Sequence, residues 1–134
     1  RRCLIPADGF YEWARKEGEK PIPYRVVRAD GQPMAMAGVW QDWEADGQRV
    51  TSCAIVTTDA NSKMAKIHHR LPVILGPDEW SLWLGEAGKG AATLMRPIAD
   101  DVLGLRRVSS AVNSNRATGP ELWKVIEGEV DPTE

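Results

Sequence analysis

Apolar and polar positions alternate in short runs along most of this chain and recur at helical spacing only briefly. Such two-residue periodicity marks strands with one buried face. It covers residues 4–5, 10–14, 24–28, 34–43, 50–58 and 103–108, with a further apolar extended run at 71–75. Asp30-Gly31 and Asp46-Gly47 separate three of these runs. Asp-Gly is a strong hairpin signal, so 24–28, 34–43 and 50–58 are expected to form an antiparallel meander. Gly38, inside the second run, predicts a bulge or a close backbone approach. The helical signals are short. Asp59-Ala60-Asn61-Ser62 can cap a short helical turn over 63–67. Gly76-Pro77-Asp78-Glu79 opens a helix that would place Trp80, Trp83 and Leu84 on one face. Residues 91–96 and 120–126 predict two more short helices, and 127–134 a fraying end. The pattern reads as α+β, a mainly antiparallel and barrel-like β core with short peripheral helices, in one domain over 1–134.

Composition changes this picture little. Six Trp against one Phe and two Tyr is an unusual balance, and Trp is often kept where a large flat surface packs or stacks. Trp40 and Trp43 are assigned to the core. The formal charge of −2 excludes a uniformly basic nucleic-acid binder, so any such contact must come from a local patch. Two cysteines, Cys3 and Cys53, are too few for a disulfide framework. Both lie in apolar runs and are expected to be buried, reduced thiols of a cytoplasmic protein. No signal peptide and no run long enough to cross a membrane is evident. The chain opens on Arg-Arg-Cys-Leu-Ile rather than Met, which suggests residues upstream.

The candidate chemistry lies in two stretches. In C-L-I-P-A-D-G-F-Y-E-W, residues 3–13, an extended chain puts Phe10 and Glu12 on one face and Tyr11 and Trp13 on the other. Glu12 then sits beside large rings, surroundings that disfavour a charged carboxyl and suit an acid/base group. In I-H-H-R-L-P, residues 67–72, a histidine precedes Arg70 and a strand, pairing a proton carrier with an anion-binding guanidinium. The residues also allow plain surface and loop roles for both. Adjacent histidines on an extended chain diverge and no third ligand is near, so no metal site is expected. There is no Gly-rich phosphate loop, and no cofactor is expected. The serines offer no nucleophile-elbow pattern. Cys3 stands near Arg1 and Arg2, but its apolar neighbours favour core packing.

R-C-L-I-P-A-D-G-F-Y-E-W, then M-A-G-V-W, S-C-A-I-V-T-T-D-A-N, I-H-H-R-L-P-V-I-L, V-N-S-N-R and G-P-E-L, in that order from Arg2 to Leu122, resemble the SOS-response-associated peptidase (SRAP) family. The resemblance implies processing of abasic sites in single-stranded DNA. It implies that Glu12 and His68 are the catalytic acid/base groups, with His68 rather than His69 opening the family's H-x-R-M-P block. Arg70 would contact DNA phosphate, Trp13 would lie at the DNA surface, and Thr57 would stand near the abasic sugar. Leu71 replaces the family's usual Met, a swap of similar volume. The family's nucleophile is an N-terminal Cys, exposed by removal of the initiator Met, and an Asn-bearing block also belongs to the site. Neither matches this chain, and Cys3 does not correspond to that nucleophile, so a SRAP domain lacking its N-terminal portion is expected. The implied partner is single-stranded DNA with abasic sites, engaged by a cytoplasmic monomer away from membranes. Two other functions remain open on the residues: a non-covalent single-strand binding module, and a peptidase acting on other proteins.

Overall fold

The computed structural model describes residues 1–126. Nine strands are formed among them: β1 (Arg2–Ala7), β2 (Phe10–Ala14), β3 (Ile22–Arg28), β4 (Met34–Ala45), β5 (Gln48–Ile55), β6 (Thr57–Asp59), β7 (Arg70–Pro72), β8 (Ile74–Leu75) and β9 (Leu103–Arg107). One short α-helix, α1 (Trp80–Leu84), and several 3-10 turns lie between them or after β9. The strands make three antiparallel sheets. β1, β4 and β5 lie in that order, with β8 also on β4; β2, β3 and β9 form the second sheet; β6 and β7 form the third. The expected α+β architecture of antiparallel strands is what the chain adopts.

The expected meander is not. The hairpin at Asp46-Gly47 forms, with Ala45 opposite Gln48 and positive φ at both turn residues, 52° and 75°, as a tight primed turn requires. Asp30-Gly31 is instead a crossing between sheets. β3 already pairs with β2 on one edge and β9 on the other, so β4 has no edge of β3 to join. Asp30 accepts hydrogen bonds from Arg28 and from the Gln32 amide, while the Ala29 amide donates to Val102 O at 2.8 Å. The turn residues bend the chain as expected, but long-range pairing decides where it goes.

The core has two parts. Val26, Met34, Met36, Met64, Leu71, Ile74, Leu103 and Leu105 form one cluster; Ala37, Val73, Leu75, Trp83 and Leu94 form the other. Each full burial of such a side chain contributes roughly 1.5–3 kcal/mol. β4 joins the two, because its alternating residues face opposite sides. Gly38 marks a close approach, not a bulge: a Cβ there would meet Ile5 Cδ1 at 2.7 Å and Cys3 Sγ at 2.9 Å, and the β4–β5 register stays regular. Asn61, a buried polar residue, is satisfied by accepting from the Met64 amide and donating to Ile98 O.

Several expected burials do not occur. Trp40 and Trp43 are exposed, at 37% and 54%, because their half of β4 is paired but not covered. Cys53 is exposed and Cys3 half-buried, both as free thiols. On α1 only Trp83 is buried; Trp80 and Leu84 face solvent, since a five-residue helix presents little more than one turn to the core. Residues 120–123 form a 3-10 turn rather than a longer helix, and the expected fraying of 127–134 lies outside the described residues.

Candidate functional site

The β6–β7 pair carries two of the five candidate residues, Thr57 and Arg70. Asp59 stands opposite Arg70 and Thr57 opposite Pro72. The register lets Arg70 reach back along β6, donating to Asp59 Oδ1 and Thr57 Oγ1, both at 3.0 Å. The guanidinium is thus held by a hydroxyl and a carboxylate, yet its side chain remains 41% exposed. An exposed ion pair of this kind adds little stability, so its main consequence is orientation of the fork.

His68 is tied to the same strand. Its Nδ1 lies 3.0 Å from Arg70 N and 3.2 Å from Arg70 O. Unprotonated, Nδ1 accepts from the amide; protonated, it donates to the carbonyl. The backbone of one residue can therefore hold the ring in either tautomer, and neither contact uses Nε2. The His69 ring stacks on it, centroids 4.6 Å apart. The expectation that the two rings diverge fails because the chain bends at His69 instead of running extended.

Glu12 is half-buried on β2, opposite Tyr24 of β3. Its Oε1 accepts from the Trp13 amide at 3.1 Å. Phe10 and Ala14 share its face and pack on the first core cluster, which also holds Tyr24, Ile67 and Leu71. Ile67 and Leu71 bracket the segment from His68 to Arg70, so Glu12 and that segment border one core. Trp13 points to the other face of β2, as alternation demands. Its Nε1 donates to Asn113 Oδ1 at 2.6 Å, and its ring lies 6.3 Å from that of Tyr11. Tyr11 in turn meets the edge of Trp123 at 5.1 Å.

Sequence reasoning overlooked Asp59, Asn113, Arg25 and Trp123. Asp59 follows Thr57-Thr58 directly, and two-residue periodicity already put it on the Thr57 face. Asn113 and Trp123 reach β2 only through the fold. Arg25 donates to Trp123 O at 2.8 Å and stacks over that ring at 5.4 Å. Burial, and then the nearby Arg106 charge, lower its pKa. Gly9 makes room for this packing, since a Cβ there would fall 2.8 Å from the Trp123 ring.

A family model described as "SOS response associated peptidase (SRAP)" matches residues 1–115. The abasic site processing protein YoqW of Bacillus subtilis (strain 168) is 36% identical over 126 residues, 91% of this chain and 56% of that protein. The abasic site processing protein HMCES of Xenopus tropicalis is 34% identical over 149 residues, covering 94% and 44%. An X-ray structure of a protein from Bacteroides thetaiotaomicron superposes with a TM-score of 0.83 at 28% identity, covering 93% of this chain and 56% of that one. The chain spans about half the length of the curated relatives it matches. The match takes in β1 to β9 and every candidate site residue: the chain belongs to the SRAP family.

Proposed function

We propose that this chain takes part in processing abasic sites in single-stranded DNA. The observation that carries the reading is the Arg70 guanidinium, held by Thr57 and Asp59 beside an imidazole whose orientation Arg70's own backbone fixes. The names of the relatives support the substrate. Arg70 binds a backbone phosphate, for which its planar fork is suited. Thr57 lies against the sugar. Trp13, steadied by Asn113, offers a face on which a base stacks, contact that tolerates any sequence.

An abasic sugar in its open form presents an aldehyde. A terminal α-amine condenses with it to an imine, releasing water, and a neighbouring thiol adds across the imine carbon to close a thiazolidine. The amine and thiol belong to an N-terminal cysteine freed of its initiator Met. Ring opening, loss of water and Met removal all move protons, the work assigned to Glu12 and His68. The reading is tested with protein carrying an N-terminal cysteine ahead of this chain, incubated with single-stranded DNA bearing one abasic site. A denaturation-resistant adduct is expected, slowed at least tenfold by Glu12→Gln and by His68→Ala. Absence of any adduct, with binding that ignores the lesion, would instead favour a non-covalent single-strand module.

A further inference from the structure

The sheet of β2, β3 and β9 has one face in the core and one turned outward. Phe10, Val26 and Leu105 take the inner side. Alternation then sends Tyr11 and Trp13 of β2, Arg25 of β3 and Arg106 of β9 to the outer side. The register sets Tyr11 opposite Arg25 and Arg25 opposite Arg106, so a phenol and two guanidinium groups form one row across the three strands. Trp13 stands two residues from Tyr11, about 7 Å along the strand. Trp123 folds over the row: its ring meets Tyr11 edge-on at 5.1 Å and lies 5.4 Å from the Arg25 guanidinium.

The fold leaves Arg25 incompletely satisfied. One of its terminal nitrogens donates to Trp123 O at 2.8 Å, whereas Nε is buried with no hydrogen-bond partner among the described residues. A buried donor left unpaired calls for an explanation. Like charges directly opposite on neighbouring strands also repel, and Arg106 is the residue Arg25 faces. Burial and that charge both disfavour the Arg25 cation. An apolar side chain would pack on Tyr11 and Trp123 and incur neither penalty. What a guanidinium adds at this place is the capacity to meet an anion from outside. Aromatic rings interleaved with cations suit a single-stranded nucleic acid, whose bases stack and whose phosphates pair. Beyond Arg25 the surface turns less favourable to a polyanion: Asp8 lines the groove there, and Arg28 beside it is already paired with Asp30. A strand leaving Trp13 along this face therefore makes its last good phosphate contact at the row.

We propose that the Tyr11–Arg25–Arg106 row is a second phosphate subsite, which receives a phosphodiester of the single strand close to the nucleotide stacked on Trp13. Arg25 donates to the phosphate, Arg106 adds charge, and Trp123 steadies the guanidinium. The proposal rests on the abasic-site reading for its substrate. It is tested by titrating two single-stranded oligonucleotides that carry an abasic analogue without an aldehyde, one with long flanks and one trimmed to the nucleotides bordering the lesion. Arg25→Gln should weaken binding of the long one about threefold or more at low salt, lower its salt slope by about 0.7, and leave the trimmed one at its original affinity. Arg106→Gln should act in the same direction, less strongly. Arg70→Ala should weaken both, so its failure counts against the abasic-site reading and not against this row. The unaltered protein supplies a second readout: the Arg25 Nε–H resonance should shift with the long oligonucleotide and not with the trimmed one. Equal losses on both oligonucleotides with the fold intact by circular dichroism, no loss on the long one, or an unmoved Nε–H resonance overturns the proposal. So does inorganic phosphate that shifts this resonance as far at equal phosphate concentration, which would make the row a site for free anions.

Discussion

A carboxylate and a guanidinium two residues apart decide how the chain leaves β3. Arg28 donates to both oxygens of Asp30, at 3.0 and 2.6 Å, and the Gln32 amide adds a third bond. The Arg28 hydrogen bonds, then the Gln32 amide, pull the Asp30 pKa down to about 2. A carboxyl whose pKa falls on folding contributes stability above its unfolded value, near 4, and loses that contribution as pH drops through the folded value. The clasp should therefore stay intact at pH 4 and open towards pH 2. Following the Asp30 side-chain carbon by NMR should give a midpoint near 2, moving towards 4 in Arg28→Gln. A midpoint near 4 in the unaltered protein would mean that the clasp does not persist in solution. The Asp-Gly signal marked the bend correctly because turn chemistry is local. It could not say that the bend joins two sheets, because Arg28 and Asp30 hold the turn whichever strand comes next. The site shows the same limit. Family likeness singled out Arg70 and Thr57 separately, whereas Asp59, which shares the guanidinium with Thr57, was read only as part of a capping stretch.

Among the elements, β4 is the one whose sequence has to satisfy most neighbours. Its first half, Met34 to Val39, pairs with β1 along its length and with β8 at Ala35 and Met36; from Gly38 to Ala45 it pairs with β5. Gly38 stands where β1 comes closest. Gly38→Ala would set a methyl group 2.7 Å from Ile5 Cδ1 and 2.9 Å from Cys3 Sγ, below any normal contact, so those two side chains must move. Overpacking of this kind costs about 1–3 kcal/mol. Thermal denaturation should show that loss. Cys3→Ala combined with Gly38→Ala should recover part of it, because the deleted sulfur frees one of the two contacts. Failure of the double variant to recover would mean that Ile5 alone sets the limit. The glycine was readable as a close approach or a bulge; the choice between them lay in β1, 35 residues earlier in the register. The two tryptophans beyond it were misread for a related reason. Alternation says which residues share a face, but not whether anything covers that face.

At the scale of the whole molecule, charge has to be read by place and not by sum. A formal charge of −2 predicts weak repulsion from a polyanion, yet the Debye length is about 10 Å at 0.1 M salt. A phosphate held against Arg70 senses that guanidinium and Asp59 far more than acids on the opposite side. Asp59 opposes the contact, so Arg70 acts as one partly compensated cation, and binding to single strands should depend on salt only modestly. Each phosphate neutralised on a single strand contributes a slope of about 0.7 to the decline of log K with log salt. Arg70→Ala should lower the slope by about that amount and weaken binding most at low salt. Trp13→Ala should instead weaken binding at every salt concentration and leave the slope unchanged, because a stacked base releases no counterion. Titrations of a fluorescent abasic oligonucleotide between 50 and 200 mM salt separate the two. If Arg70→Ala leaves the slope unchanged while affinity falls, the guanidinium serves Asp59 and the β6–β7 pair, and phosphate recognition has to be sought elsewhere on the molecule.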